Sequence, residues 1–321
     1  MSEAVTQANL LLERNDVHGA AQILQRAERG GDALAARELG MWCLGGQVVR
    51  RDLAASRALF ARAADLGDAE SAAITRAFLA GGIGGPGDWQ RAVQLLREAG
   101  TNDPEAARQL QLIEAMDLGP DGQPLRDHPF ESLSDTPDVR LFPGLFSADE
   151  SAYLIAIAEP MLEPSVVVDP VTGRQVRNPV RTSSAAAFPF RLENPAIHAL
   201  NRRLAAASGS EVRAGEPLQV LRYEPGEQYH EHSDALPGVA PEHQRVLTFL
   251  VYLNEDYEGG ETAFPAVGLK VRGSPGDGLL FRNASANGVP DPRAIHAGLP
   301  VTRGVKCLAS RWIRASPLIV E

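Results

Sequence analysis

The stretch Tyr229-His230-Glu231-His232-Ser233-Asp234 carries two imidazoles and two carboxylates within six residues. On an extended segment residues i and i+2 share a face, so His232 and Asp234 aim at one point while Ser233 faces away. One imidazole and one carboxylate make two-thirds of a two-His-one-carboxylate set. That set leaves adjacent coordination positions open and suits non-haem Fe(II). His296, in Asp-Pro-Arg-Ala-Ile-His-Ala-Gly-Leu-Pro, just before the turn signals Gly298 and Pro300, is the best supplier of the third ligand. Ten residues later Lys306 opens the strand-like run KCLASRWI. A lysine leading into a core needs a counter-charge, and an anionic substrate provides one.

Taken singly, each piece has a plainer reading. Most H-x-D tripeptides are surface turns, a lone histidine before a turn is usually a satisfied core or loop residue, and a lysine at a strand edge usually snorkels. His230 and His243 read as surface residues without a role. The conjunction of H-x-D, a distant histidine and a lysine ten residues beyond it, all on β scaffolding, carries the metal reading.

The scaffolding begins at Val139. LFPGLFSADESAYLIAIAEPML reads as a strand followed by a helix capped at Ser147, with Asp149 and Glu150 favourable in its first turn. PAIHALNRRLAAASG reads as a second helix ending at Gly209. LQVLRYE, RVLTFLVYLN, DGLLF and KCLASRWI read as strands between Gly-rich turns. Helices followed by strands indicate an α+β sandwich or open barrel. Alternation in RVLTFLVYLN puts Thr248, Leu250 and Tyr252 on one face, where the tyrosine hydroxyl needs a polar partner: the ligand, or backbone in a core. Tyr229, three residues before His232, lies on the opposite face of an unbroken strand and either lines the substrate side or packs. The long segment Val166–Ser184, with Arg174, Arg177 and Arg181, suits a lid over the metal or an exposed hairpin.

The first half has a different rhythm, a period of 36. Gly-Asp-Ala recurs at 31–33 and 67–69, Gly-Gly at 45–46 and 81–82, and Asp16, Asp52 and Asp88 are evenly spaced; Asp103-Pro104-Glu105 falls in register as the next unit begins. DLAASRALFARAADLG reads as a helix with Asp52 as N-cap and Gly67 in the left-handed position after its end. Ala55, Leu59, Phe60 and Ala63 form its apolar stripe. One helix pair cannot bury that stripe alone, so the units must stack. The 118–138 segment, rich in Pro, Asp, Gly and Ser, reads as a linker.

Two resemblances follow from these residues. Ala35 to Ala72, with its Leu-Gly, Gly-x-x-Val, Asp and Ala-Ala-x-x-Gly positions, resembles tetratricopeptide-type repeats of the Sel-one-like kind, which implies an all-α solenoid that packs on its neighbour or docks a protein or peptide. The second half resembles the prolyl 4-hydroxylase branch of the 2-oxoglutarate- and Fe(II)-dependent dioxygenases. RYEPGEQYHEHSD, TFLVYLNEDYEGGETAFP, DPRAIHAGLPVTRGVKCLASRWI and the Arg181-Thr182-Ser183 triplet carry it. The organisation expected is a repeat domain over 1–117, a linker over 118–138 and a dioxygenase domain over 139–321, the last a double-stranded β-helix (jelly-roll) with buttressing helices.

The second resemblance implies that His232, Asp234 and His296 are the iron ligands and that Lys306 takes the distal carboxylate of 2-oxoglutarate, with Tyr223, Tyr252 and Thr262 as its hydrogen-bonding neighbours. It implies consumption of O2 and 2-oxoglutarate, release of succinate and CO2, hydroxylation of an unactivated C–H, most readily in a prolyl residue, and ascorbate as reductant. Cys307 departs from the tryptophan that often follows this lysine, and the expectation is changed packing rather than lost chemistry. Rival readings are a small-molecule (free amino acid) hydroxylase, an inactive repeat adaptor and a nucleic-acid dealkylase.

Composition bears on the rivals. Formal net charge is −10, which disfavours nucleic acid and anionic membrane surfaces. No apolar run approaches the ~18 residues that read as a membrane span. Two cysteines are too few for a disulfide framework. With no basic start and apolar block at the N-terminus, the expectation is a cytoplasmic protein. Oligomeric state is not legible.

Overall fold

The structure, a computed structural model, describes residues 2–165, 167–168, 175–176, 180–285 and 287–318. Most of the Val166–Ser184 segment, including Arg174 and Arg177, therefore lies outside the described residues. The chain divides into two compact units. One comprises residues up to 123 together with 190–199; the other comprises 124–189 and 200–318.

The first unit is built of α1 (Glu3–Glu13), α2 (Val17–Arg29), α3 (Ala33–Gly45), α4 (Leu53–Asp65), α5 (Ala69–Gly81), α6 (Trp89–Ala99) and α7 (Pro104–Ala115). The period seen in sequence is a period of helix caps. Asp16, Asp32, Asp52, Asp68, Asp88 and Asp103 each accept a backbone N–H at the start of α2 to α7, which satisfies donors the helix cannot. Gly67 follows α4 at φ +93°, a conformation that favours glycine. Between the helices Ala20, Leu24, Ala35 and Trp42 form one core cluster and Phe60, Ile74 and Phe78 another. Phe60 meets Phe78 edge-on at 5.6 Å. Alanines at the other contact positions, Ala36, Ala63 and Ala92 among them, are fully buried.

The second unit contains, in chain order, β1 (Glu131–Asp135), β2 (Asp138–Phe142), α8 (Ala148–Ala158), β3 (Glu163–Pro164), β4 (Val167–Val168), β5 (Gln175–Val176), β6 (Ser184–Phe188), the helix α9 (Pro195–Ser208, whose first residues group with the first unit), β7 (Leu218–Tyr223), β8 (Tyr229–His232), β9 (Arg245–Tyr252), β10 (Tyr257–Gly259), β11 (Thr262–Phe264), β12 (Leu269–Val271), β13 (Gly278–Arg282), β14 (His296–Gly298), β15 (Val301–Gly304) and β16 (Lys306–Arg314). Among the described residues the strands form an eight-stranded sheet in the order β1-β2-β13-β9-β16-β7-β6-β3, a four-stranded sheet β12-β11-β14-β8, and the pairs β10-β15 and β4-β5. This is the antiparallel jelly-roll expected.

The core lies between the two larger sheets. Tyr223, Leu250, Tyr252, Leu279, Phe281 and Leu308 from the large sheet meet Phe264 and Val271 from the small one. β9 is buried on both faces over its last six residues; on the face away from Leu250 and Tyr252, Phe249 packs against Phe142, with ring centroids 5.4 Å apart. The capping box at Ser147 pairs its hydroxyl with the Glu150 N–H and the Glu150 carboxylate with the Ser147 N–H. Glu150 also accepts two bonds from buried Arg203 at 2.6 and 2.8 Å. One difference from the sequence reading falls within the expected linker: Glu131–Asp135 is the edge strand β1, paired with β2. Its polar, largely exposed residues carry no apolar alternation to betray a strand. No helix of the described residues is long and apolar enough to cross a membrane.

Candidate active site

Strand pairing assembles the three candidate ligands. β8 and β14 run antiparallel in the small sheet with His232 directly opposite His296, and the chain leaving β8 brings Asp234 beneath both. Each imidazole Nε2 lies 3.6 Å from an Asp234 carboxylate oxygen, His232 facing Oδ1 and His296 facing Oδ2. One ligand atom from each residue falls within 4.8 Å of the other two, the spacing of groups able to share one metal ion.

The donor chemistry fits such an ion. His232 Nδ1 lies 2.8 Å from the His230 carbonyl oxygen and His296 Nδ1 lies 3.1 Å from that of Ala294. A carbonyl only accepts, so each Nδ1 carries the proton and each Nε2 lone pair faces the centre. Burial pushes His296 down to about 4, helped by the His232 charge, so it is neutral and ready to ligate at neutral pH. Burial raises Asp234, but the His296 charge, the His232 bond and charge and the Thr248 bond outweigh it and hold the carboxyl below the usual range. Thr248 donates to Asp234 Oδ2 at 2.7 Å, and Asn283 Nδ2 donates to the Thr248 hydroxyl at 2.8 Å. The sequence reading placed Thr248 inward on β9 but gave it no role; Asn283 offered no signal.

Lys306 is buried in the same cavity of about 40 Å³ that the three ligands line, together with Tyr223, Tyr229 and Thr262. Its Nζ donates to the Gly260 carbonyl at 2.7 Å and lies 5.4 Å from the Tyr223 ring centroid. Gly260 has φ +68°, and a Cβ there would stand 3.2 Å from the lysine stem, so glycine serves both the turn and the approach of the ammonium. No carboxylate pairs with Lys306 among the described residues. Burial pushes it down to about 8 against the pull of Glu261, which marks a charge awaiting a partner.

Tyr223 and Thr262 line the cavity with Lys306, and Tyr252 lies behind Thr262. Its hydroxyl is fully buried, 3.1 Å from Thr262 Oγ1 and 3.2 Å from the Val271 carbonyl oxygen. Its hydroxyl donates to Thr262 Oγ1, and its ring centroid lies 5.7 Å from Lys306 Nζ. Cys307 is buried with its thiol pushed up to about 11 by desolvation, an inert packing residue on the strand beside the lysine.

Tyr229 corrects the sequence expectation. It does not face away from His232; the rings stack at 3.4 Å between centroids. The β8–β14 register shifts so that Gly298 pairs with Tyr229 rather than His230. This is a bulge of one residue on β8, and it turns Tyr229 onto the ligand face. Arg181, bridged to Tyr229 along the other edge of β8, places its guanidinium carbon 5.2 Å from the phenol ring. Arginine, phenol and imidazole thus form one stack leading inward.

Arg181, Tyr229, Asp234 and Trp312 also line a second cavity of about 530 Å³, which meets the ligand cluster at Asp234. The Trp312 indole N–H is buried there without a hydrogen-bond partner among the described residues. Arg245 covers the Trp312 ring at 3.7 Å and is itself held by Glu216 through two 2.7 Å bonds.

Comparison with known proteins converges on this half of the chain. A model of the 2OG-Fe(II) oxygenase superfamily matches residues 218–314, which include all three candidate ligands and Lys306. Prolyl 4-hydroxylase 1 of Arabidopsis thaliana is 39% identical over 202 residues, spanning 57% of this chain and 71% of that protein. The chain belongs to the prolyl 4-hydroxylase family of 2OG-Fe(II) oxygenases. Probable prolyl 4-hydroxylase 10 of the same plant is 34% identical, again with 57% of this chain and 71% of its own length covered. Among solved structures, the viral collagen prolyl hydroxylase of Paramecium bursaria Chlorella virus-1, as its 2OG complex, is 28% identical, covers 57% of this chain and 99% of its own, and has a TM-score of 0.46. A Sel1 repeat protein from Oxalobacter formigenes covers 34% of this chain and 85% of its own at 24% identity and a TM-score of 0.31. As a family member the chain is an enzyme, a 2-oxoglutarate- and Fe(II)-dependent dioxygenase.

Proposed function

We propose that this dioxygenase hydroxylates a prolyl residue of a protein or peptide, with His232, Asp234 and His296 holding Fe(II) and Lys306 holding the distal carboxylate of 2-oxoglutarate. The observation that carries the reading is the pair of cavities meeting at Asp234. The narrow one ends at an unpaired buried lysine and suits a slim dianion; the wide one presents Arg181, Tyr229 and the Trp312 N–H. An extended peptide offers backbone carbonyls to such donors and a flat apolar ring to the aromatics.

The bound iron and 2-oxoglutarate supply the oxidising chemistry, which splits the keto acid to succinate and CO2 and puts hydroxyl on the substrate carbon. The rest is the work of this chain. The two carbonyl-bound imidazoles and the Thr248-anchored carboxylate would hold the ion, their donor atoms kept in place by those bonds. Lys306, fixed by Gly260, sets where the far end of the keto acid lies, and Thr262 and Tyr223 offer hydroxyls beside it. Tyr229 walls the imidazole from solvent and forms the floor on which a substrate ring settles.

The test is incubation of the protein with Fe(II), 2-oxoglutarate, ascorbate and proline-bearing peptides, read by mass spectrometry. A gain of about 16 Da on proline supports the reading; gain only on free amino acids or other small molecules sinks the peptide claim. The helical-repeat unit is the natural place for such a substrate to dock, and its removal should raise KM for protein substrates more than for short peptides.

A further inference from the structure

The repeat unit holds a buried cation without an adequate partner. Arg76, on α5, is 6% exposed. Among the described residues its guanidinium donates no hydrogen bond, and its ion-pair contact, Asp103 Oδ2, stands 3.8 Å away. Asp103 is already committed: its Oδ1 accepts the Glu105 and Ala106 N–H groups at the start of α7. Burial lowers the affinity of Arg76 for its proton despite Asp103. A guanidinium has five donors in a planar fork, and those of Arg76 meet no protein acceptor at hydrogen-bond distance among the described residues.

The repeat does not need an arginine at this position. One period earlier stands Gly40, against which the Phe60 ring packs. The side chain instead faces a cavity of about 530 Å³ that runs between α4 and α6 with α5 as its floor. Arg57 and Arg91 line the same cavity, which has walls of Ala61, Ala72, Leu79 and Leu95. Arg57 is anchored by a 2.9 Å bond to the Pro86 carbonyl.

We propose that this groove binds a peptide through one carboxylate side chain, which takes the Arg76 guanidinium as its bidentate partner. Three features select that ligand. A buried planar fork matches a carboxylate. The alanine and leucine walls fit a short apolar segment on either side of the acid. Asp65 and Glu98 also line the groove, so a chain of phosphates is repelled where a single acid with a neutral or basic neighbour is not. The inference rests on the docking role proposed above for the link to substrate, but binding itself is read without turnover.

The experiment uses the full-length protein without iron or 2-oxoglutarate. Probes are acetylated, amidated Ala/Leu/Pro peptides, each with one central Glu, and their Gln twins. Calorimetry should show the Glu peptides binding about ten- to hundredfold more tightly than the twins, and Arg76→Met should erase that difference. Arg76→Lys should restore part of it. Arg76→Met should keep or raise Tm, because an apolar side chain of similar length relieves a poorly paired buried charge. The proposal is overturned if no Glu peptide binds up to millimolar concentration, if Glu and Gln peptides bind alike, or if inorganic phosphate binds where the Glu peptides do not. A clear fall in Tm for Arg76→Met would also overturn it, since Arg76 would then serve the fold. Hydroxylation of prolines in other peptides by the complete enzyme would be unaffected by any of these failures.

Discussion

His232 and His296 face each other across the β8–β14 ladder with ring centroids 4.3 Å apart. Neither strand is long, and a slip of one residue would turn one imidazole to the other face of the sheet. The metal site is thus a property of strand register, shared by two segments far apart in the chain.

Loss of one ligand should abolish catalysis without unfolding the protein. For His296→Ala, succinate formation from 2-oxoglutarate should fall to background while far-ultraviolet circular dichroism is unchanged. Chelation of the wild-type protein should give the same loss, and added Fe(II) should reverse it.

Thr248→Val keeps the shape and removes the proton that Asp234 Oδ2 accepts. Fe(II) affinity should fall about 10- to 100-fold, measured as the iron concentration giving half-maximal turnover. An unchanged iron requirement would show that Thr248 only fills space.

Lys306 titrates near 8 because it is buried, so binding of the keto acid should depend on pH there. The cationic form binds, and KM for 2-oxoglutarate should climb as pH rises through about 8. The lowered folded value also means that burial of the charged lysine costs stability in full below pH 8. That cost is relieved as pH rises from 8 towards the unfolded value near 10.5. Lys306→Met should raise KM for 2-oxoglutarate about tenfold or more and should flatten both pH trends.

Trp312→Phe tests the wide cavity. It removes the unpartnered indole N–H and retains an aromatic under Arg245. Peptide KM should rise several-fold while uncoupled 2-oxoglutarate turnover stays near wild type.

Glu150→Gln breaks the buried pair with Arg203 and weakens the α8 capping box. We expect a loss of about 3 kcal/mol, seen as a lowered denaturant midpoint. A change within about 0.5 kcal/mol, the range of ordinary surface substitutions, would show the pair to be dispensable.

What the sequence revealed and what it hid divide along local and non-local lines. The i, i+2 spacing of His232 and Asp234, the Asp caps at 36-residue intervals and the Ser147 cap are local, and each stands where the chain alone placed it. The partner of a strand is not local: His296 was picked out as the third ligand from its setting before a turn and from the family motifs, while its place opposite His232 came only with the structure. Tyr252 obeyed its alternation, but its hydroxyl partners, Thr262 and the Val271 carbonyl, lie on other strands and could not be read from it. Thr248 lay on the inward face in plain view, but nothing in a single chain says which buried threonine will meet a carboxylate. Arg76 was invisible among other helical arginines until its burial was known.

The extra residue in β8 has a consequence for how this enzyme can vary. Point substitutions at Tyr229 alter the ring that a substrate meets, yet they leave the inner wall of the pocket in place. A regular ladder of the same length, pairing His230 with Gly298, would swing position 229 to the outside. Substrate reading and iron retention, so closely stacked here, would then be separated by a change in register rather than in chemistry.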